Sequence, residues 1–148
     1  MTTVAEAAAI AVGVVNLLAA VVGGWLWWRV DPRPLAWLGI RLGQIAAVLQ
    51  AAVAGIFYIS GHEPDDDLYA LYAVLPILVG FVAEQLRLAS AQTVLDAHGI
   101  PDAQALGERP LDEQQRIVLQ IMRRELGVMV LGALVVAFLG FRGLGTIG

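Results

Sequence analysis

The sequence predicts an all-α protein that crosses a membrane four times as a helical bundle. Hydrophobic residues make up 59% of the 148 residues and charged residues only 15%, whereas soluble globular domains carry roughly 25% charged residues. A chain of 15.7 kDa with so few charges cannot cover its surface with polar groups. The apolar residues fall into four long segments, and none of them alternates with period two as the strands of a membrane barrel do.

Each apolar segment is long enough to form one spanning helix, which requires about 20 residues for ~30 Å of hydrocarbon. The predicted helices cover residues 4–29, 35–60, 68–96 and 112–141 of a single transmembrane domain, residues 1–148. Asp31 and the prolines after it close the first segment, and Pro34 suits the first turn of the second helix. An aspartate in the turn before residue 68 can cap the third helix.

The third and fourth helices are longer than a membrane crossing requires. Residues 68–96 reach roughly 43 Å at 1.5 Å per residue. Because the excess lies at the end of the third helix and the beginning of the fourth, the sequence predicts a helical hairpin that projects on one side. Asp102 and Ala103, which follow Pro101, are expected to begin a short helix in the connector.

The basic residues predict the orientation. The chain has no lysine, and eight of its nine arginines lie in or near the first loop and the connector. The other side carries Arg142 and an acidic turn. By the positive-inside rule the arginine-rich side faces the cytoplasm and both termini lie outside. The first segment has Glu6 and no basic n-region, so a cleaved signal peptide is not expected.

No residue set typical of catalysis is visible. The chain has no cysteine, which excludes disulfides and thiolate chemistry, and no nucleophile–base pair or glycine-rich phosphate loop occurs. His62 lies beside the acidic turn, which is more typical of a solvated turn than of a cation site. His98 is predicted on the opposite side, so the two cannot hold one haem within a subunit. The prediction is a non-enzymatic protein without cofactor, metal or nucleic-acid partner.

The second helix carries a stripe of small residues at every fourth position. Its members are Gly39, Gly43, Ala47, Ala51 and Gly55. In register they form a groove that a second helix can approach closely. Two interpretations are open: packing within the chain's own bundle, or contact with a second copy or a larger membrane complex.

A belt of polar residues is predicted at the cytoplasmic side of the bundle. Its members are Arg41, Gln44, Glu84, Arg87, Arg123, Arg124 and Glu125. Charges at this depth are costly unless they are paired or hydrated, so Glu84 is expected to meet Arg41, Arg87 or Arg124. The belt is either a structural ion-pair network or a polar pocket that binds an anionic lipid headgroup or a small solute.

Three stretches of the sequence resemble a known family. They are GHEP at 61–64 followed by LYALY at 68–72, AEQLR at 83–87 running into AQTVLD at 91–96, and RRELGVM at 123–129. Together they resemble a family of uncharacterised four-helix integral membrane proteins found in actinobacteria and their neighbours. The resemblance implies a bacterial cytoplasmic membrane and implies nothing about chemistry.

Two functions are consistent with these features. The first is a non-enzymatic integral membrane protein that acts through helix–helix, membrane-complex or anionic-lipid interaction. Its expected partners are the lipid bilayer, a second copy or a larger complex, and an anionic lipid. The alternative is a small transporter or channel subunit that uses the buried Glu/Arg belt.

Overall fold

The computed structural model describes residues 1–31 and 33–148, which form five helices. They are α1 (Thr2–Trp28), α2 (Pro34–Ile59), α3 (Leu68–Ala97), α4 (Ala103–Leu106) and α5 (Leu111–Leu144). All except α4 are long and apolar enough to cross a membrane, and the described residues include no strand. The predicted all-α bundle of four transmembrane helices is confirmed, and the chain is a multi-pass membrane protein.

Local sequence accounts for where the helices begin. Pro34 lies in the first turn of α2, where its missing N–H costs nothing. At the start of α3 the Leu68 N–H donates to Asp66 Oδ1 at 2.9 Å. The side chain of Asp102 accepts a hydrogen bond from the backbone of α4 at 2.8 Å. α5 ends at Leu144, three residues after the predicted end at 141.

The long helices before α5 end with a shared backbone arrangement, in which a residue with positive φ follows the cap. Gly61 after α2 and Gly99 after α3 have φ of 77° and 67°, a region that glycine enters without steric cost. After α1 the same position is held by Val30 with φ of 54°. The Asp31 N–H then donates to the Leu26 carbonyl at 2.9 Å, the long bond of a Schellman ending. Val30 is therefore a strained position.

The four long helices form a ring in the order α2, α1, α5, α3. α1 packs extensively against α2 and α5, and α3 packs extensively against α5, but α2 and α3 contact each other far less. We call the loose side between α2 residues 41–48 and α3 residues 76–84 the open seam. We call the contact of Ala9, Gly13 and Ala20 in α1 with Ala133 and Gly140 in α5 the tight seam.

Separate buried clusters stabilise the two ends of the bundle and the connector. The end that holds both termini and the 60–67 turn, here the acidic end, buries Ala5, Ala9, Ala54, Phe57, Tyr69, Ala73 and Ile147. The opposite end, here the arginine end, buries Leu26, Ala36, Ile40, Ala83, Leu126 and Met129. The connector has its own cluster of Val94, Leu95, Ile100, Leu106 and Ile117. This last cluster joins the end of α3 to the beginning of α5 through α4 and so forms a helical hairpin.

Candidate functional site

Glu84 of α3 is the centre of a charged cluster at the arginine end of the open seam. Its Oε1 accepts hydrogen bonds from Nη1 of Arg41 and, at 3.1 Å, from Nε2 of Gln44, both on α2. Its Oε2 accepts from Nε of Arg87, one turn further along α3, at 2.9 Å. Arg41 Nη1 also donates to Gln44 Oε1 at 2.6 Å. One carboxylate thus receives hydrogen bonds from three side chains and connects α2 to α3.

Arg87 extends the cluster to α5. Its Nη1 lies 3.8 Å from Glu125 Oε2, and its guanidinium carbon lies 5.7 Å from the centroid of the Trp37 ring. Charges therefore alternate along Arg41, Glu84, Arg87 and Glu125, and the four sum to zero. Neutral pairing of this kind lowers the cost of holding charges near lipid. The cluster links three of the four long helices.

The lengths of the uncharged stretches place this cluster close to the edge of the hydrocarbon. In α3, residues 68–83 precede Glu84, and in α5, residues 126–141 follow Glu125; each stretch has 16 residues and no charge. Sixteen residues reach about 24 Å, whereas the hydrocarbon core is ~30 Å thick. The cluster therefore lies within about 6 Å of the boundary between hydrocarbon and headgroups.

The remaining arginines of the predicted belt lie outside the cluster. Arg123 and Arg124 are exposed on α5, and among the described residues neither forms an ion pair. Arg123 instead places its guanidinium carbon 5.0 Å from the centroid of the Trp27 ring. Of the three arginines expected to meet Glu84, the structure brings Arg41 and Arg87 to it and leaves Arg124 apart.

The small-residue stripe of α2 faces two different surroundings. A Cβ added to Gly39 would lie 3.4 Å from the Ala19 Cβ of α1, and one added to Gly43 would meet the side chain of Asn16. A Cβ added to Gly55 would meet nothing within 4 Å. Along the stripe Gly43 and Ala47 are buried, Gly39 and Ala51 are half-buried and Gly55 is exposed. The stripe thus packs against α1 at the arginine end and is open at the acidic end.

The closest backbone approach lies in the tight seam, which the sequence analysis did not single out. A Cβ added to Gly140 would lie 2.7 Å from the Gly13 nitrogen and 3.1 Å from the Ala9 carbonyl oxygen. The signal was present, because Ala5, Ala9 and Gly13 repeat at four-residue spacing in α1 just as the stripe of α2 does. Small residues on a membrane helix mark close packing but do not identify the partner helix.

Asn16 is a second feature that the sequence analysis did not identify as a contact. Its side chain is buried at mid-bundle, and its Nδ2 donates to the Val12 carbonyl at 2.9 Å and to the Gly43 carbonyl at 3.2 Å. A cavity of about 20 Å³ lies beside it, with Gln44 on another wall. That space is enough for about one water molecule.

The two histidines lie at opposite ends of the bundle. His62 packs against the Phe57 ring with 5.3 Å between the ring centroids. His98 caps α3, and its Nδ1 lies 2.9 Å from the Val94 carbonyl oxygen. In the described part of the chain, no three His, Asp or Glu side chains are grouped as metal ligands would be.

Three grooves of similar size face the membrane between neighbouring helices. The groove between α3 and α5 has about 370 Å³ and the one between α1 and α2 about 270 Å³, and both are lined by aliphatic residues and glycine. The groove at the open seam has about 300 Å³. Its lining consists of Arg41, Gln44, Ala47, Val48, Pro76, Ile77, Gly80, Phe81 and Glu84. Of these three grooves, only the one at the open seam is lined by charged side chains.

Comparison with known proteins identifies no relative of this chain. No family model, no curated protein and no solved structure matches it. The resemblance to the uncharacterised actinobacterial membrane family therefore stays a prediction.

Proposed function

We propose that the protein is a non-enzymatic integral membrane protein that acts by binding another membrane component at its side. The proposed partners are a second copy, a larger membrane complex and an anionic lipid. The observation that carries the proposal is the open seam, a groove facing the membrane between α2 and α3. Charged side chains join the two helices at the arginine end of this groove, and Phe57 packs against Tyr69 at the acidic end. A groove with a charged end and an apolar body matches the amphiphilic character of membrane constituents.

We further propose that the membrane is a bacterial cytoplasmic membrane, with the arginine end in the cytoplasm and both termini outside. The support is the distribution of the arginines, eight of nine lying toward the arginine end. A topology reporter fused within the connector should be active in the cytoplasm, and one fused after Gly148 should be active outside. The reverse pattern would overturn this orientation.

Purification of the full-length chain in a gentle detergent tests lateral binding. The expected result is a protein that retains bound lipid or a second subunit after size-exclusion chromatography, detected by mass spectrometry. A strictly monomeric protein without lipid or subunit would contradict the proposal. Apolar side chains outside the open seam, such as Ile59 and Phe138, are also exposed and can hold lipid without specificity. The informative result is therefore retention at a fixed stoichiometry.

A small transporter or channel is the second candidate, and the cavity beside Asn16 and Gln44 favours it. The cavity has room for about one water molecule and adjoins the groove that holds Glu84. Reconstitution in liposomes with a pH-sensitive dye tests this function. Proton flux that Glu84→Gln removes and Glu108→Gln preserves would establish transport. Flux equal to that of empty liposomes in all three proteins would exclude proton transport and favour lateral binding.

A further inference from the structure

We propose that the open seam binds one anionic phospholipid, with its phosphate at Arg41 and one acyl chain in the groove beside α2 and α3. The inference rests on the proposed lateral binding and assigns it a site and a ligand class. Its basis is that a guanidinium, that of Arg41, lies at the end of a membrane-facing groove and near the boundary between hydrocarbon and headgroups.

The hydrogen bonding of Arg41 leaves it able to bind a phosphate. Its side chain is 48% exposed, and its hydrogen bonds to Gln44 and Glu84 both use Nη1. Nε and Nη2 take part in none of the hydrogen bonds between described residues. Guanidinium N–H groups in this fork geometry match two oxygens of one phosphate. Because Arg87 also donates to Glu84, a phosphate at Arg41 does not leave that carboxylate unpaired.

The depth of the groove fits a phospholipid with this headgroup position. The cluster lies within about 6 Å of the hydrocarbon boundary, toward the headgroup region that holds the lipid phosphates. Val48 is seven residues from Arg41 along α2, and Pro76 is eight residues from Glu84 along α3. At 1.5 Å per residue the apolar lining therefore extends about 10–12 Å toward the membrane centre. An acyl chain attached to a phosphate at Arg41 follows this lining.

The other two grooves show what the charged side chains add. They offer about 370 and 270 Å³, close to the volume at the open seam, but they have no polar side chain to distinguish headgroups. We therefore expect them to accept the acyl chains of any lipid. Headgroup selectivity is therefore expected at the open seam, because a zwitterionic lipid carries a cation beside its phosphate that Arg41 repels, and an anionic phospholipid does not.

Native mass spectrometry of the full-length protein in detergent tests this site. The probes are dioleoyl phosphatidylglycerol, which is anionic, and dioleoyl phosphatidylcholine, which has the same chains and no net charge. The wild-type protein should retain one phosphatidylglycerol about tenfold more tightly than phosphatidylcholine. Arg41→Gln should remove this preference, because without the guanidinium charge the choline cation of phosphatidylcholine is no longer repelled. Arg33→Gln removes the same charge from an exposed pair with Asp31 and should preserve the preference.

Glu84→Gln provides a test with the opposite sign. Glu84 places a negative charge beside a phosphate bound at Arg41, so neutralising Glu84 should increase phosphatidylglycerol affinity severalfold, while Arg41→Gln decreases it. A general folding defect would lower binding in both variants. An unchanged or lower affinity in a folded Glu84→Gln protein would contradict a phosphate bound beside Glu84.

Two glycine substitutions test the groove itself. An added Cβ at Gly80 meets nothing within 4 Å, so Gly80→Leu is expected to fold and to place its side chain in the groove. It should lower phosphatidylglycerol affinity about tenfold, whereas Gly55→Leu, an equally open position on α2, should change it less than twofold. If the two variants bind phosphatidylglycerol with equal affinity, the groove is not the binding site of the acyl chain.

The results separate this inference from the broader proposal. If phosphatidylglycerol and phosphatidylcholine bind equally, or if Arg41→Gln behaves as Arg33→Gln does, the lipid site is wrong. In that case a second copy or another subunit retained in the same spectra would preserve lateral binding with a different partner. Loss of every bound component would reject both.

Discussion

The tight seam and the open seam join helices by opposite means. Gly13 and Gly140 bring the backbones of α1 and α5 so close that one added methyl group would not fit, whereas Arg41 and Glu84 join α2 and α3 through the tips of their side chains. Lipid tails are as apolar as leucine, so close packing and polar bonds, and not the hydrophobic effect, hold membrane helices together. Backbone contact leaves no room for lipid between α1 and α5 at the tight seam, whereas the side-chain contacts between α2 and α3 leave a groove that lipid can enter.

The largest effect is expected in the tight seam. Gly140→Ala should lower the free energy of unfolding by about 1–3 kcal/mol, because the new methyl group meets the backbone of Gly13 and Ala9, which cannot move as a flexible side chain would. Unfolding in mixed micelles, followed by tryptophan fluorescence, measures the change. Gly55→Ala is the control and should cost far less, since its Cβ meets nothing within 4 Å. Equal stability of the two variants would show that α1 and α5 are not in backbone contact.

In the charged cluster at the arginine end of the open seam, loss of Arg87 is expected to cost about 1–2 kcal/mol. Arg87→Gln leaves Glu84 and Glu125 without the positive charge between them. Both carboxylates are less than one quarter exposed, so the cost lies between those of exposed and fully buried pairs. The same unfolding assay applies, and the double variant Arg87→Gln, Glu125→Gln should recover part of the loss. No recovery would indicate that the 3.8 Å pair contributes nothing.

A feature of this fold was predictable from the sequence where residues within one helix determine it, and was not where it depends on how the helices rotate against one another. Each long helix contains one continuous apolar segment, so the fold class was predictable from the sequence. The pairing of Glu84 with Arg41 and Arg87 was also predictable, because charges at equal depth in a membrane must find each other. Arg124 was an equally reasonable partner by depth, and only the rotation of α5 about its axis separates it from Glu84.

Which neighbouring helix each small residue packs against was not predictable from the sequence. Gly13 and Gly55 both belong to four-residue repeats of small residues, but Gly13 lies in a backbone contact and Gly55 faces open space. The choice depends on how all four helices rotate together. Likewise the Asn16 side chain donates to the backbone carbonyl of Gly43, and a carbonyl leaves no residue-type signal in a sequence.

The contact of Asn16 with Gly43 gives the next prediction, in a region where α1 and α2 pack closely. Gly43→Ala should cost ~1 kcal/mol, because the added Cβ meets the Asn16 amide and disturbs a hydrogen bond between membrane helices. In an Asn16→Ala background the same substitution should cost much less. A double-mutant cycle measures this coupling, and additive effects would contradict the contact.

The smallest effect is expected at the end of α1, the helix that takes part in the tight seam and leads into the first loop. Val30 has φ of 54° where Gly61 and Gly99 occupy the matching positions after α2 and α3. The left-handed region costs an L-residue about 1–2 kcal/mol, and glycine avoids this cost. Glycine also loses more conformational entropy on folding, which offsets part of the gain. Val30→Gly should therefore raise the free energy of unfolding by about 0.5–1 kcal/mol. Gly61→Val should lower it, because it places the same strain at the end of α2. If the tight and open seams are independent, Val30→Gly will stabilise the fold and leave phosphatidylglycerol affinity at the open seam unchanged; a change in that affinity would show that the two sides of the bundle are coupled through α1.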